Sequence, residues 1–363
     1  MNIRSLTLRN FRTYKSLNIS FHDKFNLIYG NNAQGKTNLL EAVYYLCSFR
    51  PFKSVKNDEL VTFHEENSGI KGEIESTRGL DEINIFITKG KKSVKINGKL
   101  VHRLSKYIGR FNVVLYLPSD LKIVKGSPSV RRQYLDALIC NLEPAHVKDL
   151  KDYNKSISHR NSMLSKSKSL TAEMLEVWDI GISEIGSRIV KRRVKLVKEL
   201  KSKLNELYNS TSGVNSKIDM TYKPSYEKNG TLEESILKSL NANFFKDKLR
   251  GHTTVGPHRD LIGFSIDGND SAIYASQGES KNLILALKAA EISIYESVTG
   301  QVPVLLLDDI TSELDKQRKG FLFALLKDYA GQIFVTSTGI DEIPYKGDKK
   351  IFQITKGFAK VIS

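Results

Sequence analysis

At residues 30–37 the chain carries the octapeptide Gly30-Asn31-Asn32-Ala33-Gln34-Gly35-Lys36-Thr37. This octapeptide fits the pattern G-x-x-x-x-G-K-[ST]. Its glycines let the backbone curl, so that successive N–H groups face one concavity that can hold a phosphate. The lysine adds a charge for the β- and γ-phosphates, and the threonine hydroxyl is placed to ligate Mg²⁺. The octapeptide therefore predicts a P-loop that binds ATP.

The residues on both sides of the octapeptide supply the context that a P-loop requires. Residues 25–29 form an apolar run, as expected for a buried strand. After the loop, apolar residues recur at helical spacing, namely Leu39, Leu40, Val43 and Leu46. A strand, a glycine loop and a helix are thus predicted in that order. This order disfavours the alternative, a glycine turn with a chance lysine.

The composition limits the class of protein. The 363 residues include 56 lysines and arginines against 40 aspartates and glutamates, which gives a net charge of +16. Such an excess suits a polyanionic partner, nucleic acid before a membrane surface, although scattered lysines that keep a protein soluble give the same balance. The only cysteines are Cys47 and Cys140, too few for a zinc site of cysteines, and they indicate a reducing cytoplasm. No apolar run approaches the roughly 20 residues that span a bilayer, so no membrane partner is expected.

The first and middle parts of the chain differ in pattern. Alternating residues at 3–8, 17–21, 83–88 and 94–96 predict strands, and Asn97-Gly98 after the last of them predicts a hairpin with a type I′ turn. From about residue 120 the pattern becomes helical. One apolar stripe, spaced by threes and fours, runs from Ile182 to Leu207 and is broken only by Arg193. Its opposite face is rich in lysine, either as a solvated face or as a face that contacts phosphates.

A short apolar run, residues 302–307, closes on Asp308 and Asp309. An unbroken apolar strand suits a parallel sheet that is covered on both faces, and such sheets bind ligands outside the carboxyl ends of their strands. We therefore expect both aspartates beside the P-loop. Asp308 would complete the Mg²⁺ site with Thr37, and Asp309 would polarise the attacking water, which makes Lys36, Asp308 and Asp309 the predicted catalytic residues.

The segment Ser276-Gln277-Gly278-Glu279 has two interpretations. Ser276 and Glu279 form a capping-box pattern at the start of a helix. A serine and a glycine at a helix N-terminus also make an anion site, because exposed N–H groups and the positive end of the helix dipole meet there. We expect both interpretations to hold.

Together these motifs resemble the ABC-type ATPase heads of the structural-maintenance-of-chromosomes class, and within that class the RecF family. The class resemblance lies in Leu8-x-Asn-Phe-Arg12, the P-loop with Asn38-Leu-Leu-Glu-Ala42, Ser276-Gln-Gly-Glu279, and Leu307-Asp-Asp-x-x-Ser312-Glu-Leu-Asp315. The RecF resemblance lies in Leu117-Pro-Ser-Asp-Leu121, Val124-Lys-Gly-Ser-Pro128, Arg131-Arg132 and Gly256-Pro-His-Arg-Asp260. The match extends from end to end of the chain.

The resemblance implies a homodimer that closes head to tail around ATP. Arg12, residues 30–38 and residues 276–279 would bind nucleotide, with Ser276 and Gly278 reaching the γ-phosphate held by the other copy. Ser312 and Asp315 match the loop that crosses the dimer interface. The family binds double-stranded DNA and single-strand to double-strand junctions near gaps, helps to load the RecA recombinase, and works with RecO and RecR.

Two departures from the family pattern bear on the activity. Glu279 and Lys281 stand where the signature often has Gln and Arg, and Thr336-Ser337-Thr338 stands where ABC ATPases usually have a switch histidine. We therefore expect slow, DNA-stimulated ATP hydrolysis that acts as a timer.

The fold expected is α/β, a two-lobed ABC-type ATPase head with a mixed sheet around the P-loop, a mainly helical second lobe and no long coiled coil. Residues 1–120 would form the first part of the ATP-binding lobe, residues 121–264 the helical lobe, and residues 265–363 the signature helix and the completion of the first lobe. The alternatives are a nucleotide-binding subunit of an ABC transporter and a DNA clamp that does not hydrolyse ATP.

Overall fold

The computed structural model describes residues 1–52, 56–88, 90–166, 169–310, 314 and 316–362. The chain divides into two compact units, unit 1 with residues 1–120 and 291–363, and unit 2 with residues 121–290. Residues 265–290 pack with unit 2. The assignment of functional lobes to these ranges stays a prediction.

The strands are numbered in chain order. They are β1 (Asn2–Phe11), β2 (Tyr14–Ser20), β3 (Phe25–Tyr29), β4 (Asn67–Ser76), β5 (Gly79–Thr88), β6 (Lys91–Ile96), β7 (Lys99–Leu100), β8 (Val113–Tyr116), β9 (Ile218–Lys223), β10 (Leu261–Ile266), β11 (Asn269–Asp270), β12 (Val304–Leu307), β13 (Ile333–Ser337), β14 (Lys349–Thr355) and β15 (Phe358–Val361).

The helices are numbered in the same way. They are α1 (Lys36–Ser48), α2 (Leu121–Lys125), α3 (Pro128–Leu142), α4 (Ala145–Lys166), α5 (Glu176–Ser212), α6 (Leu232–Ala242), α7 (Phe244–Arg250), α8 (Ser271–Tyr274), α9 (Gln277–Thr299) and α10 (Lys316–Lys327). In the described part of the chain, none of the helices has the length and apolar character needed to cross a bilayer.

Unit 1 contains two sheets. The first has the order β2-β1-β4-β5-β6-β7 and is antiparallel throughout. The second has the order β15-β14-β3-β13-β12-β8, and only its β14–β15 pair is antiparallel. One apolar cluster joins Leu6 of β1, Leu40 of α1 and Phe334 of β13. Helix α1 is thus anchored in the same core as the strands that flank it.

Strand β1 departs from simple alternation. Ile3, Leu6 and Leu8 are all buried, although an unbroken strand would turn Ile3 to the opposite face from the other two. The register of β1 against β4 shifts between Ile3 and Ser5. An irregularity of this kind inserts one residue and turns the next side chain over, so all three apolar side chains reach the core.

The predicted hairpin at Asn97-Gly98 is present. Asn97 and Gly98 have φ angles of 50° and 75°, as a type I′ turn requires of both central residues. Lys95 pairs with Leu100, and Ile96 with Lys99, across β6 and β7.

Unit 2 is organised around α5, a helix of 37 residues. Its apolar stripe packs on α4 and α6, and one cluster joins Tyr153, Ile182, Ile189 and Ile236. Arg193, the residue that interrupts the stripe, is itself buried and pairs with Asp136 at 2.7 Å. Unit 2 also holds an antiparallel sheet of order β11-β10-β9.

Candidate nucleotide-binding site

The loop at residues 30–35 joins the end of β3 to the start of α1. Gly30 and Gly35 have φ angles of 154° and 111°. A Cβ on Gly30 would lie 2.4 Å from Ile354 O, and a Cβ on Gly35 would lie 2.7 Å from Thr13 Oγ1. Both positions therefore require glycine, for backbone conformation and for space. Asn31, Asn32 and Ala33, between them, are exposed to solvent.

Lys36 points back over this loop. Its Nζ donates to Gly30 O at 2.6 Å and to Asn31 O at 3.0 Å. Burial lowers the pKa of Lys36, and the carboxylates of Asp309, Asp308 and Glu342 oppose that shift. The ammonium group thus bonds neutral carbonyl oxygens in the loop, where a phosphate would offer it a charged partner.

Thr37 and Asp308 meet directly, although they come from opposite ends of the chain. The Thr37 hydroxyl donates to the Asp308 carboxylate, with distances of 3.0 and 3.1 Å to its two oxygens. Thr336, at the end of β13, donates to Asp308 Oδ1 at 2.8 Å and accepts the backbone N–H of Asp309 at 2.7 Å. The oxygens of Thr37 and Asp308 are hard donors of the kind that Mg²⁺ prefers.

The described residues contain no cluster of three or more His, Cys, Asp or Glu that could hold a metal ion by itself. A magnesium site at Thr37 and Asp308 would therefore take its remaining ligands from water and nucleotide, as Mg²⁺ commonly does.

Sheet register explains why these side chains meet. Leu307 of β12 pairs with Val335 of β13, and Ser337 of β13 pairs with Tyr29 of β3. The strands are parallel, so their carboxyl ends share one edge of the sheet. At that edge Asp308 follows β12 and the glycine loop follows β3.

Two turns hold the glycine loop from outside. In the turn between β1 and β2, the Tyr14 hydroxyl donates to Gly35 O at 2.9 Å and Thr13 Oγ1 accepts from Asn38 Nδ2 at 3.1 Å. In the turn between β14 and β15, the Lys356 N–H donates to Gln34 Oε1 at 2.7 Å. The loop is thus fixed through backbone and amide groups, which leaves its exposed residues accessible to a ligand.

Arg12 is engaged within unit 1. Its Nε donates to Glu41 Oε2 at 2.9 Å, and its Nη1 donates to the carbonyl oxygen of Glu59 at 2.8 Å. Glu41 lies on α1, so Arg12 is close to the helix that follows the glycine loop. The contact of Arg12 with nucleotide phosphate stays a prediction.

The predicted capping box at the start of α9 is confirmed. The Ser276 hydroxyl accepts the N–H of Glu279 at 3.1 Å, and Glu279 Oε2 accepts the N–H of Ser276 at 2.7 Å. These hydrogen bonds lower the pKa of Glu279.

Ser276 and Gln277 are exposed, while Gly278 and Glu279 are half-buried. Ser276 and its neighbours lie in unit 2, and their role in nucleotide binding stays a prediction. The two predicted interface residues, Ser312 and Asp315, lie outside the described residues.

Sequence reasoning did not assign a role to two residues of the site. Thr336 bonds both Asp308 and Asp309, and the sequence marked it only as one of the residues that stand in place of a switch histidine. Glu342 accepts from Ser337 at 2.8 Å and from Thr338 at 2.6 Å, and its charge acts on Lys36. Glu342 follows a loop and belongs to none of the motifs, so the sequence carried no signal for it.

Comparison with known proteins matches the whole chain. Residues 2–360 match the profile of the RecF/RecN/SMC N terminal domain. The DNA replication and repair protein RecF of Streptococcus gordonii is 37% identical over 99% of this chain and 100% of its own length. The corresponding protein of Streptococcus pyogenes serotype M1 is 35% identical over 100% and 99%.

The chain belongs to the RecF family. A solved structure of the recombination mediator protein RecF with ATP, in the RecFOR pathway, aligns with a TM-score of 0.92 at 35% identity, over 100% of this chain and 98% of that one. An SMC head bound to the C-terminal winged-helix domain of ScpA aligns with a TM-score of 0.59 at 17% identity, over 100% and 97%, which shows the fold alone. The predicted fold, an ABC-type ATPase head of mixed α/β type, is confirmed.

Proposed function

We propose that this protein binds and hydrolyses ATP, that ATP joins two copies, and that the joined copies bind DNA in recombinational repair. The observation that carries the proposal is the meeting of Thr37, Asp308 and Thr336 beside Lys36. A hydroxyl, a carboxylate and a buried cation at the mouth of a glycine loop are the groups that phosphoryl transfer requires. The chain's relatives include a RecF structure with bound ATP.

In this proposal the backbone N–H groups of residues 30–35 cradle the phosphates. Lys36 exchanges its carbonyl partners, Gly30 and Asn31, for the β- and γ-phosphate oxygens. Thr37 and Asp308 would hold Mg²⁺, which would supply positive charge to the phosphates. Asp309 orients the attacking water, and Thr336 keeps both aspartates in place through its two hydrogen bonds.

We infer that hydrolysis is slow and is stimulated by DNA. Thr336 and Ser337 stand where ABC ATPases usually have a switch histidine, and they donate their hydroxyls to Asp308 and Glu342, so this position has no imidazole to assist proton transfer. A basal rate of tens per second without DNA would contradict this part of the proposal.

The dimer and the DNA-binding surface are proposed from the resemblance to the family. Ser276 and Gly278 of one copy would contact the γ-phosphate held by Gly35, Lys36 and Thr37 of the other. The net charge of +16 favours a polyanion. Duplex DNA and single-strand to double-strand junctions near gaps would be held mainly through phosphates, so affinity should fall steeply as salt rises.

The place of the protein in repair is proposed from its relatives, which are described as DNA replication and repair proteins and as a mediator in the RecFOR pathway. On that basis RecR and RecO are the expected partner proteins, the reaction served is loading of the recombinase at gaps, and the cytoplasm is the expected compartment.

The test is molecular mass in solution by light scattering, without nucleotide, with ATP, and with ATP plus duplex DNA. Wild type is compared with Lys36→Met and Ser276→Arg, and with Lys15→Met as the control for loss of an exposed lysine on β2. We expect ATP to double the mass of wild type and of the control, and neither of the other variants to change. DNA should join only the doubled species.

Two other outcomes select other functions. Unchanged mass with DNA binding in every nucleotide state favours a DNA clamp, and absence of hydrolysis under all conditions adds to that conclusion. Recovery of the native protein in membranes with a channel-forming partner favours the transporter subunit instead.

A further inference from the structure

Unit 2 contains an open cavity of about 600 Å³ beside α5. We call it the α5 groove. Its walls come from one face of α5, from the end of β9 and from the segment that leads into α6. Its volume is in the range of about 300–1,000 Å³ that is typical of ligand sites.

The floor of the α5 groove is apolar. Val190 and Val197 are buried beneath it, and Val194 between them is 45% exposed. Leu232 and Pro224 line the opposite side. Positions 190, 194 and 197 share a helix face, so these valines form one apolar strip, which reaches solvent at Val194.

The rim of the groove is basic. Its charged lining residues are Lys191, Lys195, Lys198, Lys201 and Lys228. Among the described residues that line the groove there is no carboxylate. Of these lysines, Lys201 forms an ion pair with Asp219 at 2.7 Å. A ligand that fits the groove must therefore place negative charge at the lysine rim and an apolar group against the valine floor.

A buried hydroxyl adds a third feature. Tyr226 lines the groove and is 6% exposed, and within the part of the chain that the structure describes its hydroxyl has no hydrogen-bond partner. A buried polar group left without a partner costs about 1–3 kcal/mol. A ligand that offers a carbonyl or carboxylate oxygen to Tyr226 would remove that cost.

We propose that the α5 groove binds an acidic peptide segment of a partner protein, with an apolar side chain inserted between Val194 and Leu232. The lysine rim matches acidic side chains, the valine strip matches the apolar one, and a peptide carbonyl can accept from Tyr226. DNA fits less well, because phosphate contacts need cations but no apolar cavity. This assignment does not rest on the nucleotide chemistry proposed above.

The test measures anisotropy of a fluorescein-labelled decapeptide of aspartates with a central Phe-Leu pair, with the full chain and no nucleotide. The reference peptide has Ser-Ser in place of Phe-Leu. We expect the Phe-Leu peptide to bind at least about tenfold more tightly. Val194→Asp should abolish that preference, and the double variant Lys195→Glu, Lys198→Glu should weaken binding about tenfold. Tyr226→Phe should weaken it a few-fold.

The matched control is Lys155→Glu, an exposed lysine of α4 outside the groove, which should bind like wild type. Lys36→Met should also bind like wild type, so failure of the nucleotide proposal would leave this result intact. Thermal unfolding checks that each variant folds.

Three results would overturn the proposal. Equal affinity for the two peptides would mean that charge alone is recognised. Unchanged affinity in Val194→Asp and in the double lysine variant would place the peptide elsewhere. The third result is displacement of the peptide by a duplex oligonucleotide, together with a double lysine variant that loses as much affinity for the oligonucleotide as for the peptide. These two observations together would mean that the groove contacts DNA.

Discussion

The glycine-loop edge of unit 1 and the interior of unit 2 use charged side chains in opposite ways. In unit 1, Lys36 donates to neutral carbonyl oxygens, those of Gly30 and Asn31. In unit 2, Arg160 is fully buried and donates to Asp179 at 2.6 Å and to Asp247 at 2.7 Å. Lys36 could leave its carbonyl partners for a ligand without stranding a buried carboxylate, whereas Arg160 could not. A cation paired with two carboxylates serves the fold.

The loop at residues 256–260 also serves the fold of unit 2. Pro257 O accepts from Arg193 at 2.6 Å, and His258 Nδ1 lies 2.8 Å from the Tyr153 hydroxyl. Gly256 has a φ angle of 119°, and a Cβ there would lie 2.7 Å from that hydroxyl. Pro257 thus holds the loop to α5 and His258 holds it to α4, while Gly256 leaves room for the Tyr153 hydroxyl. These contacts give a packing role to a motif that the sequence singled out without a role.

The largest effect expected is on stability, from Arg160→Met. The variant leaves Asp179 and Asp247 buried without their cation, which costs about 3–5 kcal/mol for a broken buried pair. Urea unfolding followed by circular dichroism measures the change. The control is Arg188→Gln, whose partners include the exposed Glu184, and we expect a loss of about 1 kcal/mol or less there. Equal losses in the two variants would mean that the buried Arg160 contributes no more to stability than the partly exposed Arg188.

A pH dependence should follow from His258. Burial lowers its pKa from 6.5 to about 4, so the folded chain resists a proton that the unfolded chain accepts. The free energy of unfolding should therefore be highest above pH 6.5 and should fall as the pH drops from about 6.5 to about 4, by at most about 3 kcal/mol.

The measurement is urea unfolding at intervals of pH for wild type and His258→Gln. Other titrating groups are common to both proteins, so the difference between the two curves isolates His258. We expect the glutamine variant to lose less stability across that window. Parallel curves would mean that the histidine titrates in the folded chain as it does in the unfolded one.

Thr336→Val should separate positioning from binding at the glycine-loop edge. The substitution keeps the shape of a fully buried side chain but removes the donor to Asp308 and the acceptor for the Asp309 N–H. On the proposed activity, we expect kcat for ATP hydrolysis to fall about tenfold, or about 1.4 kcal/mol in activation free energy, with KM within about twofold. Thr7→Val, at an exposed position of β1, is the control. A parallel change in KM would indicate that Thr336 supports the whole loop.

Local features of the chain could be predicted from its sequence more fully than contacts between distant segments. Features encoded in consecutive residues were predicted, including the glycine loop, the Asn97-Gly98 turn and the capping box at Ser276. The meeting of Asp308 with Thr37 was predicted as well, because Asp308 closes an apolar strand of a parallel sheet. Contacts that depend on the exact register between distant strands were not predicted. Thr336 reaches Asp308 because Leu307 pairs with Val335, and a shift of one residue would turn its side chain to the other face. The buried Arg193 was seen only as a break in a stripe, because its partner Asp136 lies on another helix.

The smallest expected effect on stability is at Ser276, where the two proposed roles can be separated. Ser276→Ala removes the cap of α9 and should cost about 1 kcal/mol, whereas Ser276→Asp keeps a capping oxygen and should stay within about 0.5 kcal/mol of wild type. If Ser276 also meets the γ-phosphate of a second copy, the aspartate should abolish the doubling of mass by ATP, because its negative charge would repel the phosphate.

Thr231→Ala is the matched control, since Thr231 and Glu234 form the same capping box on α6. It should cost a similar stability and leave the doubling intact. Doubling that survives Ser276→Asp would reduce Ser276 to a helix cap, and the exposed N-terminus of α9 would then have no part in joining the two copies.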